Sequence, residues 1–324
     1  MVSANSRIPY EFAKISANSR IPYEFAKISA NSRIPYEFAK ISANSRIPAL
    51  DFGGEGPELL FLHANGYPPA CYHPLLERLV KDFHVTAMLQ RPLWDGSHPA
   101  DIRDWMPLTD DLLRYLDAHH PGPVACVGHS MGGIVALRAA LREPQRFSSL
   151  VLLDPVLFPP YFIRLWQIFY RLGLGDRLHP LVDGAKRRRR QFDDLERLFD
   201  GYRRKSIFRY FDDQALRAYV EGIACKTEAG PYQLCYSPEW EARIYVTGVW
   251  RDMDLWHGLP HLQTPTLIVR GGETDTFWER TGNLVKRKQP QVRVEALPRS
   301  THLVPLERPN EVSALIRTFL KEQP

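Results

Sequence analysis

The chain has 324 residues, 44% of them hydrophobic and 24% charged, and a formal net charge of +5. This suits one large globular unit, or one such unit with an insertion, and excludes a collagen-like or wholly disordered polymer. No run approaches the roughly 20 apolar residues of a membrane span, and the first residues lack an apolar signal-peptide core, so the expectation is a cytoplasmic protein with no membrane span.

The positive excess is local. Residues 1–48 hold seven Lys/Arg against three Glu, which leaves the remainder close to neutral. Ser-Ala-Asn-Ser-Arg-Ile-Pro-Tyr-Glu-Phe-Ala-Lys-Ile occurs at 3–15, 16–28 and 29–41 without a change, and a further copy begins at Ser42. Structural repeats drift and have longer periods, so perfect identity points to recent duplication of DNA. A concatenated cloning linker and a genuine disordered tail both fit, and residues 1–41 are set apart from the fold.

From Ile47 onward strands and helices alternate. Leu59–His63 is an apolar strand ending in a turn, Tyr72–Lys81 a helix, His84–Leu89 a strand and Asp101–His119 an amphipathic helix. Pro123–Val127 is a short apolar strand, followed by Gly128-His129-Ser130-Met131-Gly132 and then a small-residue helix from Ile134. Phe147–Leu153 is another strand. Residues 155–260 lose the alternation and are dense in aromatics and arginines at helical spacing, an inserted helical cap. Strands resume at Pro265–Arg270 and Val292–Leu297, and Glu311–Lys321 is a closing helix. Continuous apolar strands between helices predict a mostly parallel sheet covered on both faces.

Glycines two before and two after Ser130 permit a sharp strand-to-helix turn that lifts the hydroxyl clear of the sheet. A serine hydroxyl needs a positioned base, and the base needs an anion behind it. His302 follows the last strand, in Ser300-Thr301-His302-Leu303-Val304-Pro305-Leu306-Glu307, and Asp275 follows the strand before it, in Gly271-Gly272-Glu273-Thr274-Asp275. Asp275 is the favoured acid. Asp154, at the end of the strand after the serine helix, and Glu273 stay open as alternatives.

On these motifs, with His63-Ala64-Asn65-Gly66 after the first apolar strand, the region from about Ile47 to the C-terminus resembles the α/β-hydrolase superfamily of serine hydrolases with a cap. The resemblance implies an eight-stranded, mostly parallel sheet flanked by helices, with 42–154 and 261–324 as the core and 155–260 as the helical cap. It implies Ser130 as nucleophile, His302 as general base and acid, Asp275 as orienting carboxylate, and the backbone N–H groups of Met131 and Asn65 as oxyanion donors. Ala64 stands where that family usually has glycine. Serine in place of the aspartate of the dehalogenase and epoxide-hydrolase relatives implies acyl transfer.

The expected activity is hydrolysis of carboxylic esters with an apolar portion, esterase- or lipase-like. Thioesters, lactones, C–C bonds and perhydrolysis are alternatives on the same residues, and a non-enzymatic binding protein of this fold is the rival class. Tyr67, Phe162 and Trp166 are the expected substrate-binding side chains, the latter two within an aromatic cluster with Phe158, Tyr161, Phe169 and Tyr170. No nucleotide motif, metal-ligand spacing or C-x-x-C is present, so no cofactor, metal or nucleic-acid partner is expected. The run Lys186–Arg190, interleaved downstream with Asp193, Asp194, Glu196 and Asp200, reads as a solvated helical face with i,i+4 pairs rather than a phosphate site.

Overall fold

The structure, a computed structural model, describes residues 47–227 and 231–323. The repeat tract at 1–41 lies outside the described residues. Among the described residues ten strands run in chain order as β1 (Ala49–Gly53), β2 (Glu58–Leu62), β3 (His84–Met88), β4 (Val124–His129), β5 (Phe147–Leu153), β6 (Gln191–Phe192), β7 (Ala224–Lys226), β8 (Tyr232–Leu234), β9 (Thr266–Gly271) and β10 (Arg293–Leu297).

Seven of them form the main sheet in the order β1-β3-β2-β4-β5-β9-β10, so among the described residues the sheet has seven strands, not the expected eight. All pairings are parallel except β1 with β3. Strands β2, β4 and β5 are apolar and buried on both faces, which is what helices on each side require. β1 is unannounced by the sequence pattern. It is a five-residue edge strand carrying a register break between Asp51 and Gly53, too short and irregular to show a period.

The register places the chemistry. β2 lies between β3 and β4, so the chain reverses its direction of travel across the sheet at β2, the crevice where α/β folds bind ligands. Leu62 pairs with Gly128, His129 with Leu153, Leu153 with Val269, and Gly271 with Leu297. The segments that follow these strand ends therefore emerge side by side along one edge. They carry Asn65, Ser130, Asp154, Thr274 and His302.

Between β5 and β9 the chain leaves the sheet. This segment is mainly helical, and it also holds a small antiparallel sheet of order β6-β8-β7. Strands of two and three residues are too brief for a period to register. Cys225 and Cys235 are disulfide-bonded across the β7–β8 hairpin, a pairing their spacing does not announce, while Cys71 and Cys126 are free and buried. The basic run is not a helical face. Its helix is Val182–Lys186, and beyond it Arg189 meets Asp193, Arg190 meets Glu239 and Arg188 turns inward to Glu241. Among the described residues, no helix is long and apolar enough to cross a membrane.

The exit from the insertion is clamped to the serine helix. Arg138, on Met131–Arg142, is 3% exposed and ion-pairs with the equally buried Asp252 at 2.6 Å and with Asp254 at 2.9 Å. Burial pushes the Asp252 carboxyl up to about 6 even with Arg138 pulling it down. Arg138→Met would strand that carboxylate in the interior, and breaking a buried pair from one side costs about 3–5 kcal/mol. Urea denaturation should show a loss of that size, and Arg138→Met with Asp252→Leu should recover most of it. A single variant as stable as the parent would mean that the clamp contributes nothing.

Candidate active site

Ser130 closes β4 and caps the helix Met131–Arg142 at φ 56° and ψ −116°, in the left-handed region that side chains avoid. Two glycines make the turn possible. A Cβ at Gly128 would come within 2.5 Å of the Gly132 carbonyl oxygen, and one at Gly132 within 2.4 Å of the Leu62 carbonyl oxygen. The serine helix can thus start directly against the end of β2. The Ser130 N–H donates to the Leu153 carbonyl at 3.0 Å, which ties the turn to β5.

His302 bridges two side chains. Its Nδ1 lies 2.9 Å from Asp154 Oδ1 and its Nε2 lies 2.9 Å from Ser130 Oγ. A carboxylate only accepts, so Nδ1 carries the proton and Nε2 accepts from the serine hydroxyl. The loop is held by Glu307, which accepts from the Thr301 N–H at 2.6 Å and the Thr301 hydroxyl at 2.7 Å. Burial raises the Glu307 carboxyl, partly against those two donors.

The acid beside His302 is Asp154, not the favoured Asp275. Asp154 is fully buried, at φ 42°. It accepts from the Gly271 N–H and the Thr274 hydroxyl, each at 2.8 Å, as well as from His302. The turn after β9 therefore supplies donors to the acid instead of the acid itself. Asp275 is exposed and accepts from the Thr276 hydroxyl at 3.2 Å, and Glu273 is engaged with Arg209 and Tyr210.

Met131 is the first residue of its helix, so its N–H has no intrahelical acceptor. The Asn65 N–H makes no backbone hydrogen bond among the described residues either. Asn65 is positioned through its side chain, which donates to the Glu241 carbonyl at 3.0 Å. The loop that carries it is pinned by His63, whose Nδ1 donates to the Ala64 carbonyl at 2.9 Å and whose Nε2 accepts the Gln90 N–H at 3.1 Å. Burial lowers the His63 imidazole to about 4, so it stays neutral and holds the loop without exchanging protons.

A buried relay then joins the two halves of the site. The Ala64 N–H donates to the Tyr72 hydroxyl at 3.1 Å, which donates to His129 Nδ1 at 2.7 Å, and His129 Nε2 donates to the His302 carbonyl at 2.9 Å. Burial, reinforced by the neighbouring His302, drives the His129 imidazole well below its ordinary range, so it is neutral with its proton on Nε2. No local sequence signal marks Tyr72, because its partners come from distant parts of the chain.

Of the expected binding side chains, only Tyr67 lines a cavity of about 630 Å3 whose other lining residues all belong to the insertion. Phe162 stacks on Phe158 at 4.5 Å and meets Trp278 edge-on, while Trp166 packs against Phe169 and His179. Both belong to packing rather than to the cavity. Tyr161, from the same cluster, points outward with half its surface exposed. Ser130 does not line the cavity itself. Tyr67, in its lining, has its ring 6.5 Å from that of His129, the residue before Ser130. Among the described residues, no cluster of three or more His, Cys, Asp or Glu could hold a metal.

Comparison with known proteins agrees with this architecture. The chain is 25% identical to 2-(acetamidomethylene)succinate hydrolase of Mesorhizobium japonicum, over 80% of this chain and 84% of that one. An α/β hydrolase from Novosphingobium aromaticivorans superposes with a TM-score of 0.68 at 20% identity, covering 88% of this chain and 97% of the other. An esterase from Mycobacterium tuberculosis superposes with a TM-score of 0.65 at 22% identity, covering 90% and 92%. Residues 59–315 match the model of the alpha/beta hydrolase family. With that match spanning most of its length, the chain belongs to the α/β hydrolase family.

Proposed function

We propose that this protein is a serine hydrolase that cleaves carboxylic esters with an apolar portion through an acyl-enzyme intermediate. The observation that carries the reading is His302, within 2.9 Å of both the Ser130 hydroxyl and the Asp154 carboxylate. The same arrangement weighs against a non-enzymatic binding protein, which would need no such alignment.

In this reading Ser130 Oγ attacks the ester carbonyl as His302 Nε2 takes its proton. The imidazolium that forms is stabilised by Asp154, whose other oxygen accepts from the Gly271 N–H. Negative charge on the former carbonyl oxygen falls to the N–H groups of Met131 and Asn65, and the N-terminus of the serine helix adds its dipole. Collapse returns the proton from His302 to the departing alcohol. Water then attacks the acyl-enzyme with the same groups in reverse order. The insertion, residues 155–260, serves as the cap over the nucleophile edge, and Tyr67 orients the substrate there. His129 and Tyr72 act as positioning residues, fixing the backbone of His302 relative to the Asn65 loop.

A panel of p-nitrophenyl esters of increasing chain length tests the activity, with fluorophosphonate labelling mapped by mass spectrometry. Label is expected on Ser130. Ser130→Ala should lower hydrolysis by about 10⁴- to 10⁶-fold with the fold intact, and a variant keeping a tenth of parental activity would rule the mechanism out.

The acid assignment makes an asymmetric prediction. Asp154→Asn would stabilise the wrong tautomer of His302 and should reduce kcat by about 10⁴-fold. Asp275→Asn, at an exposed carboxylate away from the ring, should change kcat by less than about twofold, given the small effect of an isolated surface charge. The reverse ordering would return the role to Asp275.

Tyr72→Phe removes the hydroxyl that satisfies both Ala64 and His129. A buried group left unsatisfied costs about 1–3 kcal/mol, so thermal stability should fall by that order. With the His302 loop loosened, kcat should drop by about tenfold while KM holds, since roughly 1.4 kcal/mol on the barrier is a factor of ten. A change confined to stability would reduce the relay to a packing element.

A further inference from the structure

The cavity beside the oxyanion loop is built to give hydrogen bonds rather than to receive them. Its lining includes five cationic side chains against three carboxylates. The carboxylates are occupied: Glu241 pairs with Arg188, Asp193 with Arg189, and Asp194 caps the helix Leu195–Arg203 by accepting the Glu196 N–H. Arg187, Arg197 and Lys205 have no carboxylate partner among the described residues, and Lys205 lies over the Tyr202 ring at 4.2 Å.

The inner wall repeats the pattern with phenol hydroxyls. Arg188 gives one terminal nitrogen to Glu241 and directs the other at the hydroxyls of Tyr202 and Tyr219, at 3.4 and 3.5 Å. A guanidinium only donates, so both phenol oxygens are acceptors there and keep their own protons for another partner. Burial raises the Tyr67, Tyr219 and Tyr245 hydroxyls, so they remain O–H donors. No hydrogen bond from any of the four tyrosine hydroxyls of this cavity occurs among the described residues. A space of about 630 Å3 lined by so many donors wants an anionic, oxygen-bearing group.

This cavity is joined to the oxyanion loop. Glu241, the partner of Arg188, packs on Gly66 so closely that a Cβ there would lie 3.2 Å from its carboxyl carbon, and its backbone carbonyl holds the Asn65 side chain. Tyr67, next along the same loop, forms part of the lining and meets the Tyr219 ring at 5.3 Å. A group bound at Arg188 is therefore linked to the nucleophile turn through Tyr219, Tyr67 and His129. We propose that Arg188 and the tyrosines around it form a subsite for a free carboxylate, so that the substrate is an ester bearing a second, ionised acid group. The proposal rests on the serine hydrolase reading for the ester and on the cavity alone for the acid.

Two measurements separate the parts. The first is calorimetric titration of Ser130→Ala protein with glutarate and, as the neutral control, glutaramide. Glutarate is expected to bind at least tenfold more tightly than glutaramide, and Arg188→Met should abolish the difference. Since that change strands Glu241, Arg188→Met with Glu241→Gln serves as the folded control and should behave alike. The second is the ratio of kcat/KM for phenyl hydrogen glutarate and 3-carboxyphenyl butyrate to that for phenyl butyrate. The larger of the two ratios should exceed ten in the parent and fall toward one in the Arg188 variants. Equal binding of glutarate and glutaramide, or a ratio near one in the parent while Ser130-dependent hydrolysis proceeds, overturns the subsite and leaves the hydrolase standing. Arg188-dependent glutarate binding without turnover of any ester would uphold the subsite and sink the hydrolase reading.

Discussion

The site depends on a serine held where serine does not want to be. A side chain at φ 56° costs on the order of 1–3 kcal/mol, and it persists only where the surroundings overdetermine it. Here β4 cannot continue, because the serine helix begins immediately, and the helix cannot draw back, because its Gly132 lies against the end of β2. The hydrogen bond from the Ser130 N–H to Leu153 closes the remaining freedom. Close approach of three backbones, allowed by missing Cβ atoms, therefore fixes the serine relative to the Asn65 loop on one side and Asp154 on the other.

Along the same edge burial sets the imidazoles apart. His63 and His129 lie fully buried, burial holds both imidazoles neutral, and each spends both ring nitrogens on structural hydrogen bonds. His302 keeps a quarter of its side chain exposed and faces a carboxylate on one nitrogen and a hydroxyl on the other. Three imidazoles thus gather within a few residues of one sheet edge, and their surroundings divide the work. Two build the frame, and one is left with a lone pair directed at an O–H.

Much of this is legible in the residues, and the limits have physical causes. Apolar runs such as Phe147–Leu153 mark buried parallel strands because both faces must be apolar, and the glycines around Ser130 mark a turn that only they permit. The choice between Asp154 and Asp275 is different in kind. Both follow sheet strands, and what separates them is one backbone torsion at Asp154 together with two donors from the turn after β9. Neither leaves a trace in spacing. The insertion is harder still: its strands are too short for a period, its disulfide has no distinctive interval, and its aromatics divide between packing, as at Phe162 and Trp166, and open surface, as at Tyr161.

Arg188 shows why a charge run is a poor guide to its own members. Four of five neighbouring cations stay exposed, yet the chain leaves the helix after Lys186, and the turn carries one guanidinium inward. A buried ion pair such as Arg188 with Glu241 adds little to stability, since desolvation offsets the attraction. Two apolar residues would fill that volume at least as well, but would leave the Tyr202 and Tyr219 hydroxyls without the donor that Arg188 supplies. The pair does hold Glu241 against Gly66, so the loop that presents Asn65 and the wall that presents the tyrosines are braced by one carboxylate. Charge here sets position: the insertion reaches the Asn65 loop through Glu241, and whatever occupies the cavity must compete or cooperate with that contact.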